Sequence, residues 1–342
     1  MTYADVGGSV GRTIAAQLPR RSHDEPRDML LSPEEALHWD EVATGLDMPW
    51  RFGPEEGFIA SANDRPPPGE FPVGWFFSPH DRVRRIAELL GGDRRIGLDD
   101  LRALQRDVSQ RSSLTLRDIL LRGLPESERL SGRERQALAA IRDWNGSYAA
   151  TSQGALAFEL LLAEIVERMK RKGMSPRKPA FWSARDLVAE RLAALSEAEL
   201  AQVTGPALRR AARGFGRYRN WGGMHRLRLA HPLGRLPVIG RRFRYGDFPA
   251  DGGNDTLNKT AFGLARKRHY ATYGACARHI SDLSDPDANF FVLLGRQDGW
   301  SGSANAVDQV ALWRRGGYVT VPLRLETVRT MFPHKTDLQP AG

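Results

Sequence analysis

At 342 residues and 38.1 kDa, with a formal charge of +9 and a pI near 10.0, the chain is long enough for one large domain or two small ones. No apolar run reaches the roughly 18 residues a membrane helix needs, the N-terminal stretch lacks the three-part pattern of a signal peptide, and the single cysteine, Cys276, excludes an internal disulfide framework and a Cys-rich metal site. Arginine-rich runs at Arg168–Lys178 and Arg209–Arg244 contain no nucleic-acid-binding motif, so they read as a solvated basic face, with no nucleic acid expected as partner.

The chain begins with Tyr3–Val6, a Gly7-Gly8-Ser9 turn and Val10–Ile14, which predicts a hairpin whose further partner strands lie outside the chain. Pro19–Pro54 is loop-rich, with Trp39 and Trp50 scattered in it. The apolar run Phe58-Ile59-Ala60 then delivers Asn63 into a turn that Asp64 and a proline cluster hold away from helix. An amide at a strand end beside a stiff turn can aim two N–H donors at one place, as stabilisation of an oxyanion requires. Asn ahead of Asp-x-Pro is equally ordinary turn chemistry. The aromatic run Gly74–Phe77 fits core packing and a pocket wall alike.

Helices follow. Val83, Ile86, Leu89 and Leu90 recur at helical spacing until Gly91-Gly92, and further stripes run through Leu98, Leu101, Leu104 and Val108 and through Leu116, Ile119 and Leu120. Ser131-x-x-Glu134 is a capping box, opening a helix with Leu138 and Ile141 inward. Ser152–Met169 reads as a long buried helix with Ala155, Phe158, Leu162 and Ile165 on one face. After a charged break at Arg168–Arg177, taken as an exposed connection, helix resumes from Ala184 to about Arg213, and the remainder is richer in glycine, aromatics and short apolar runs.

Most other candidates for chemistry have plainer readings. Gly299-Trp300-Ser301-Gly302-Ser303 lacks the second glycine of a nucleophile elbow and reads as a turn. His231, His269 and His279 show no metal-ligand spacing, and Asp251, Asn254 and Asp255 do not follow the EF-hand pattern. Asp282, Asp285 and Asp287 read as turn residues around Pro286, and Cys276 as a buried structural thiol.

The stretch GFIASANDRPP at Gly57–Pro67, followed by SPHDRVRRIAELL at Ser78–Leu90, resembles the oxyanion-hole region of the penicillin acylases, which are N-terminal nucleophile (Ntn) amidohydrolases. Asn63 matches their oxyanion asparagine, and Arg82 the arginine that starts the next helix. Further blocks match in the family's order. They are the Tyr3–Gly11 hairpin, the Arg142–Gly146 turn with Asn145 for the usual Asp, the His231–Gly234 and Gly252–Asn258 segments, Tyr273–Asp287, Phe290–Leu294, Gly295–Gly302, and Asp308-Gln309-x-x-x-Trp313.

The resemblance implies an α+β fold, part of an Ntn-hydrolase αββα sandwich with an inserted helical subdomain. Residues 1–80 would be the strand-and-loop part with the oxyanion turn, 81–225 the mainly helical subdomain, and 226–342 the strand-rich end of the same sandwich. It further implies hydrolysis of a linear amide in an N-acyl compound, such as a beta-lactam side chain or an N-acyl homoserine lactone. The nucleophile would be the N-terminal Ser of a mature beta subunit, its own amine serving as base. Asn63 would donate to the oxyanion, and Arg82 would orient Asn63 or steady charge near that amine. Neither that Ser nor its cleavage junction occurs in these 342 residues, so the isolated chain is expected to be inactive. The expected partners are an alpha subunit, an upstream beta-subunit portion and the amide substrate. By the same resemblance the location is periplasmic or secreted. No cofactor is assigned; some members hold calcium, and no ligands for it are identifiable in this sequence. The alternative, from a different class, is a non-catalytic basic remnant binding a partner or an anionic surface.

Overall fold

The middle of the chain is built around the helix Gln153–Arg171, whose first three turns are buried on every side. Every residue from Gly154 to Ile165 is buried, a wider contact than the one-sided stripe the spacing predicts. The helices Gly132–Arg142 and Glu197–Tyr218 pack on it from different sides. Trp144 stacks against Phe158 with ring centroids 4.8 Å apart, and Gly154 makes room, since a Cβ there would collide with the indole. Each large side chain so buried contributes roughly 1.5–3 kcal/mol by leaving water.

This computed structural model describes residues 1–20, 33–34, 41–69, 71–75, 77–171, 184–295, 300 and 302–340. Trp39, Phe76, residues 172–177 of the charged break, and Gly299 and Ser301 of the glycine-serine turn lie outside the described residues. Helix does not run unbroken from Ala184 to Arg213: it forms Ala184–Ala193 and Glu197–Tyr218. The break is chemical. Ser196 Oγ accepts from the Glu199 amide at 3.3 Å, and the Glu199 carboxylate accepts from the Ser196 amide at 2.9 Å, a capping box that starts a new helix.

At the N-terminal end, Thr2–Ala4 and Val10–Thr13 form the expected antiparallel hairpin, with Gly8 at a φ of 86° in its turn. A third strand, Trp50–Phe52, pairs with Val10–Thr13, so this sheet finds one partner within the chain, in a stretch the sequence leaves as loop. Three residues alternate too briefly to announce a strand. Phe58–Ala60 is not a strand; the Arg12 guanidinium donates to the Ala60 carbonyl at 3.2 Å and ties that run to the sheet.

In the C-terminal part His225–Ala230 pairs antiparallel with Arg244–Pro249 and parallel with His269–Tyr270. Thr260–Ala261 pairs with Tyr273–Gly274, and Ala277–Ser281 with Asn289–Leu293, which continues to Val319–Thr320. Helices thus fill the middle of the chain and strands its two ends, an α+β arrangement. Cys276 is exposed, contrary to the buried thiol expected of a small-residue run. It lies between two strands, in neither, and its carbonyl alone is tied down, accepting from the Leu294 amide at 2.7 Å.

Candidate active site

The turn at Asn63 is held by its own polar groups. Asn63 takes a left-handed φ of 60°, which asparagine tolerates better than most residues. The Asp64 carboxylate accepts from the Ala62 amide at 2.8 Å, and the Asn63 carbonyl accepts from the Ser78 amide at 2.8 Å. Ser78 leads into the helix Asp81–Leu90, whose second residue is Arg82. A cation at a helix N-terminus opposes the helix dipole, so something else must hold Arg82 there.

Three acceptors do. Arg82 Nη2 donates to the Ala62 carbonyl at 2.6 Å, to Asn63 Oδ1 at 3.0 Å and to Ser78 Oγ at 3.3 Å. Burial disfavours the cation and lowers its pKa, while Asp255 acts in the opposite sense; a guanidinium keeps its proton regardless. Arginine can only donate, so the atom of Asn63 that faces it must be the oxygen. The Asn63 amide is therefore turned with Nδ2 and its two hydrogens the other way, and no acceptor among the described residues takes them.

Asn63, Arg82 and Ser78 line an open cleft of about 450 Å³ that the Arg12–Ile14 strand end, Phe77, Lys259 and Tyr273 help to close. Lys259 is buried, its pKa lowered by desolvation and by the nearby Arg82. The fold thus brings Asn63 and Arg82 together and adds Lys259 and Tyr273 from almost two hundred residues later. Sequence reasoning missed both, although Lys259 directly follows the Gly252–Asn258 block that carried part of the resemblance. Of the aromatic run, Phe77 lines the cleft, beneath the Arg65 guanidinium at 4.9 Å.

The remaining candidates serve structure. Asp282 Oδ1 accepts from Ser284, and Asp287 anchors Arg324 and Thr327. His231 Nδ1 accepts from the Leu233 amide at 3.2 Å, capping a short 3-10 turn. Among the described residues no three His, Cys, Asp or Glu side chains come together as metal ligands. In the Asp251–Asp255 loop, Asp251 Oδ1 accepts from the Ala150 amide and Asn254 Oδ1 from the Phe262 amide. No set of calcium-ligating carboxylates gathers there among the described residues, and no step is drawn through a metal.

The family model for penicillin amidase matches residues 1–330. The chain is 26% identical over 376 residues to an acyl-homoserine lactone acylase, QuiP, of Pseudomonas syringae pv. tomato, covering 95% of this chain and 44% of that protein. To the penicillin acylase 2 proenzyme of Pseudomonas sp. strain SE83 it is 26% identical over 338 residues, covering 92% of this chain and 42% of that protein. The chain therefore spans less than half the length of these curated relatives. Its fold resembles that of a thermostable penicillin G acylase from Alcaligenes faecalis, with a TM-score of 0.58 at 15% identity, over 100% of this chain and 68% of that one. That likeness makes the α+β fold an Ntn-hydrolase fold, and with a family model spanning nearly its whole length the chain belongs to the penicillin amidase family.

Proposed function

We propose that the chain supplies the oxyanion-stabilising part of an acylase that hydrolyses the amide of an N-acyl compound, such as a beta-lactam side chain or an N-acyl homoserine lactone. One observation carries this reading: Arg82 holds Asn63 by its oxygen and leaves the amide N–H donors unspent at the cleft. The nucleophile is an N-terminal Ser hydroxyl from polypeptide other than these 342 residues. Its own amine takes the hydroxyl proton as oxygen attacks the carbonyl. The carbonyl oxygen becomes an oxyanion, to which Asn63 Nδ2 donates beside a backbone N–H from upstream. Collapse expels the amine, which takes up the proton, and water then hydrolyses the acyl-enzyme to the free acid. Arg82 sets the orientation of Asn63 and does not exchange a proton. The partners are the alpha subunit and the upstream beta-subunit portion, and the location is periplasmic or secreted.

The experiment is an assay with a chromogenic phenylacetyl or long-chain acyl amide, on the purified chain alone and after co-expression with an upstream acylase portion. Turnover is expected only in the second case. In that assembly Asn63→Ala should fold normally and lose about 10²- to 10³-fold in acylation rate, roughly 3–4 kcal/mol. An Asn63→Ala enzyme keeping more than a third of the wild-type rate removes Asn63 from the site. Turnover by the lone chain means that the nucleophile lies within it.

A further inference from the structure

A second cavity lies apart from the Asn63 cleft. About 550 Å³ in volume, it opens on the far side of the Asn258-Lys259-Thr260 segment, where Asn258 and Thr260 line it while Lys259 lines the other cleft. That alternation is the period of two of an extended backbone. Four arginines, Arg106, Arg278, Arg314 and Arg315, face this cavity, and Asp251 is the acidic residue in its wall. Among the described residues none of the four has a carboxylate within ion-pair distance. The Asp251 carboxylate is already engaged by the Ala150 amide at 2.6 Å.

Arg278 is the unusual member. It is 4% exposed, and its guanidinium lies 4.2 Å above the Trp313 ring. Nη1 donates to the Trp313 carbonyl at 2.9 Å and Nη2 to Asn258 Oδ1 at 3.3 Å, both neutral acceptors. Its Nε–H and the Trp313 Nε1–H are buried donors with no acceptor among the described residues. A buried cation without a carboxylate, beside two unmet donors, is costly to keep. Desolvation chiefly lowers its pKa and Arg106 adds to that, while Tyr318 and the more distant Asp251 carboxylate act in the opposite sense. An oxyanion in the cavity would supply the counter-charge that its four arginines lack among the described residues.

We infer that this arginine-lined cavity is a second ligand site that takes an oxyanion group, a carboxylate or a phosphate, with Arg278 and Trp313 at its base. Arg314 and Arg315 end the short helix Val310–Arg315 at the rim, with Arg314 placed over Phe248 at 4.2 Å. Phe248, Leu227 and Val108 give the cavity an apolar wall as well, which suits an acid with a hydrocarbon body.

Calorimetric titration of the purified chain with inorganic phosphate and, separately, with octanoate at about 0.15 M salt tests this. That ionic strength screens exposed charges beyond a Debye length of about 8 Å. One-to-one binding of either probe is expected, and the tighter one names the source of the oxyanion. The rim variant Arg314→Gln/Arg315→Gln should weaken it at least fivefold, whereas Arg235→Gln/Arg241→Gln, on a different basic loop, should leave it unchanged. Arg278→Gln should abolish it; if that variant does not fold, the rim pair still decides. Absence of binding for both probes, equal weakening by both double variants, or a rim variant that binds as wild type overturns the inference.

Discussion

Two arginines organise the polar interior of this chain, and they leave their surroundings in opposite states. In the helical middle, Arg185 donates to Glu159 at 2.5 Å and to Tyr148 Oη at 3.0 Å, and Tyr148 donates to the same carboxylate at 2.6 Å. Burial and the neighbouring carboxylate both push the Tyr148 hydroxyl pKa well up, so it stays a donor, and the carboxylate keeps the arginine charged. The arginine, the phenol and Glu159 Oε1 are all turned on one another, and Glu159 Oε2 is the one carboxylate atom there left buried without a partner among the described residues. At the cleft, Arg82 is held by two carbonyl-type oxygens and a hydroxyl, with no direct carboxylate, and the amide it grips keeps two donors for something else. The same residue type builds a lock in one place and a poised donor in the other. The difference lies in what the partner has left over once the arginine is satisfied.

Breaking the lock should have the larger effect on the fold. Glu159 is almost wholly buried, at 1% side-chain exposure, and Glu159→Ala takes the shared carboxylate from Arg185 and Tyr148, leaving Arg185 with neutral hydroxyl acceptors alone. The expected cost is about 3–5 kcal/mol, the range for removing one partner of a buried ion pair. Glu159→Gln, which keeps an acceptor oxygen, should cost clearly less. Denaturant midpoints of the purified chain measure both. Equal midpoints for Glu159→Ala and wild type would mean that the network contributes nothing net, and the contrast with the cleft would disappear.

The comparison also explains what could be read beforehand. Ser131 and Glu134 close their capping box as the spacing predicts, because a cap is local chemistry. Asn63 and Arg82 are pointed to by two resembling stretches, Gly57–Pro67 and Ser78–Leu90, which place the turn and the helix start close in sequence. Lys259, Tyr273, and the Arg278–Trp313 pair with its unmet donors depend on contacts between distant segments, and no periodicity reports those. The all-round burial in the first three turns of Gln153–Arg171 escaped for a related reason. Glu159 and Glu164 interrupt the apolar run on the other faces and read as solvent-facing, although both are buried in the fold.

Arg82 offers the next test, smaller in size and aimed at the cleft. Arg82→Lys keeps a positive charge but has one nitrogen on a flexible stem in place of the planar fork. It cannot reach the Ala62 carbonyl, Asn63 Oδ1 and Ser78 Oγ from the same direction, so the Asn63 amide becomes free to turn. Losing a hydrogen bond to a charged donor costs about 1.5–3 kcal/mol, which in the assembled enzyme is roughly a tenfold to hundredfold fall in kcat. KM should change much less, because the donor acts on the oxyanion and not on the bound amide. A variant that raises KM while leaving kcat intact would make Arg82 a substrate-binding residue and remove it from the orientation of Asn63.

A third polar cluster contains neither arginine nor carboxylate, and it should respond to acid more gently. His225 is fully buried where the strands meet the helical middle, stacked on Trp221 at 4.7 Å, with Phe262 at 5.0 Å. Thr260 Oγ donates to the Asp251 carbonyl at 2.8 Å, so at 3.0 Å it must accept from His225 Nε2–H. His225 Nδ1 then accepts from His269 Nε2–H at 2.9 Å, and a neutral His269 so arranged has no hydrogen on Nδ1 to give to the Lys267 carbonyl 3.2 Å away. Protonating His225 would place a second hydrogen in that short contact. Desolvation, then the His269 neighbour, push its pKa down to about 3. Glu159 favours the charged form of His269 and so faces the same cluster. The folded pKa lies below the unfolded value of about 6.5, so between those two pH values the unfolded chain binds a proton that the folded chain does not. Stability is therefore full above about pH 6.5 and falls as the pH drops toward 3, by at most about 1.4 kcal/mol per pH unit from this one site. Carboxylates add their own slope at the acid end, so the measurement is a difference. Urea midpoints at pH 7.5, 6.0 and 4.5 should fall less steeply in His225→Asn, which has no proton to gain, than in the wild type. Parallel slopes for the two proteins would show that His225 is not the group that makes this fold sensitive to acid.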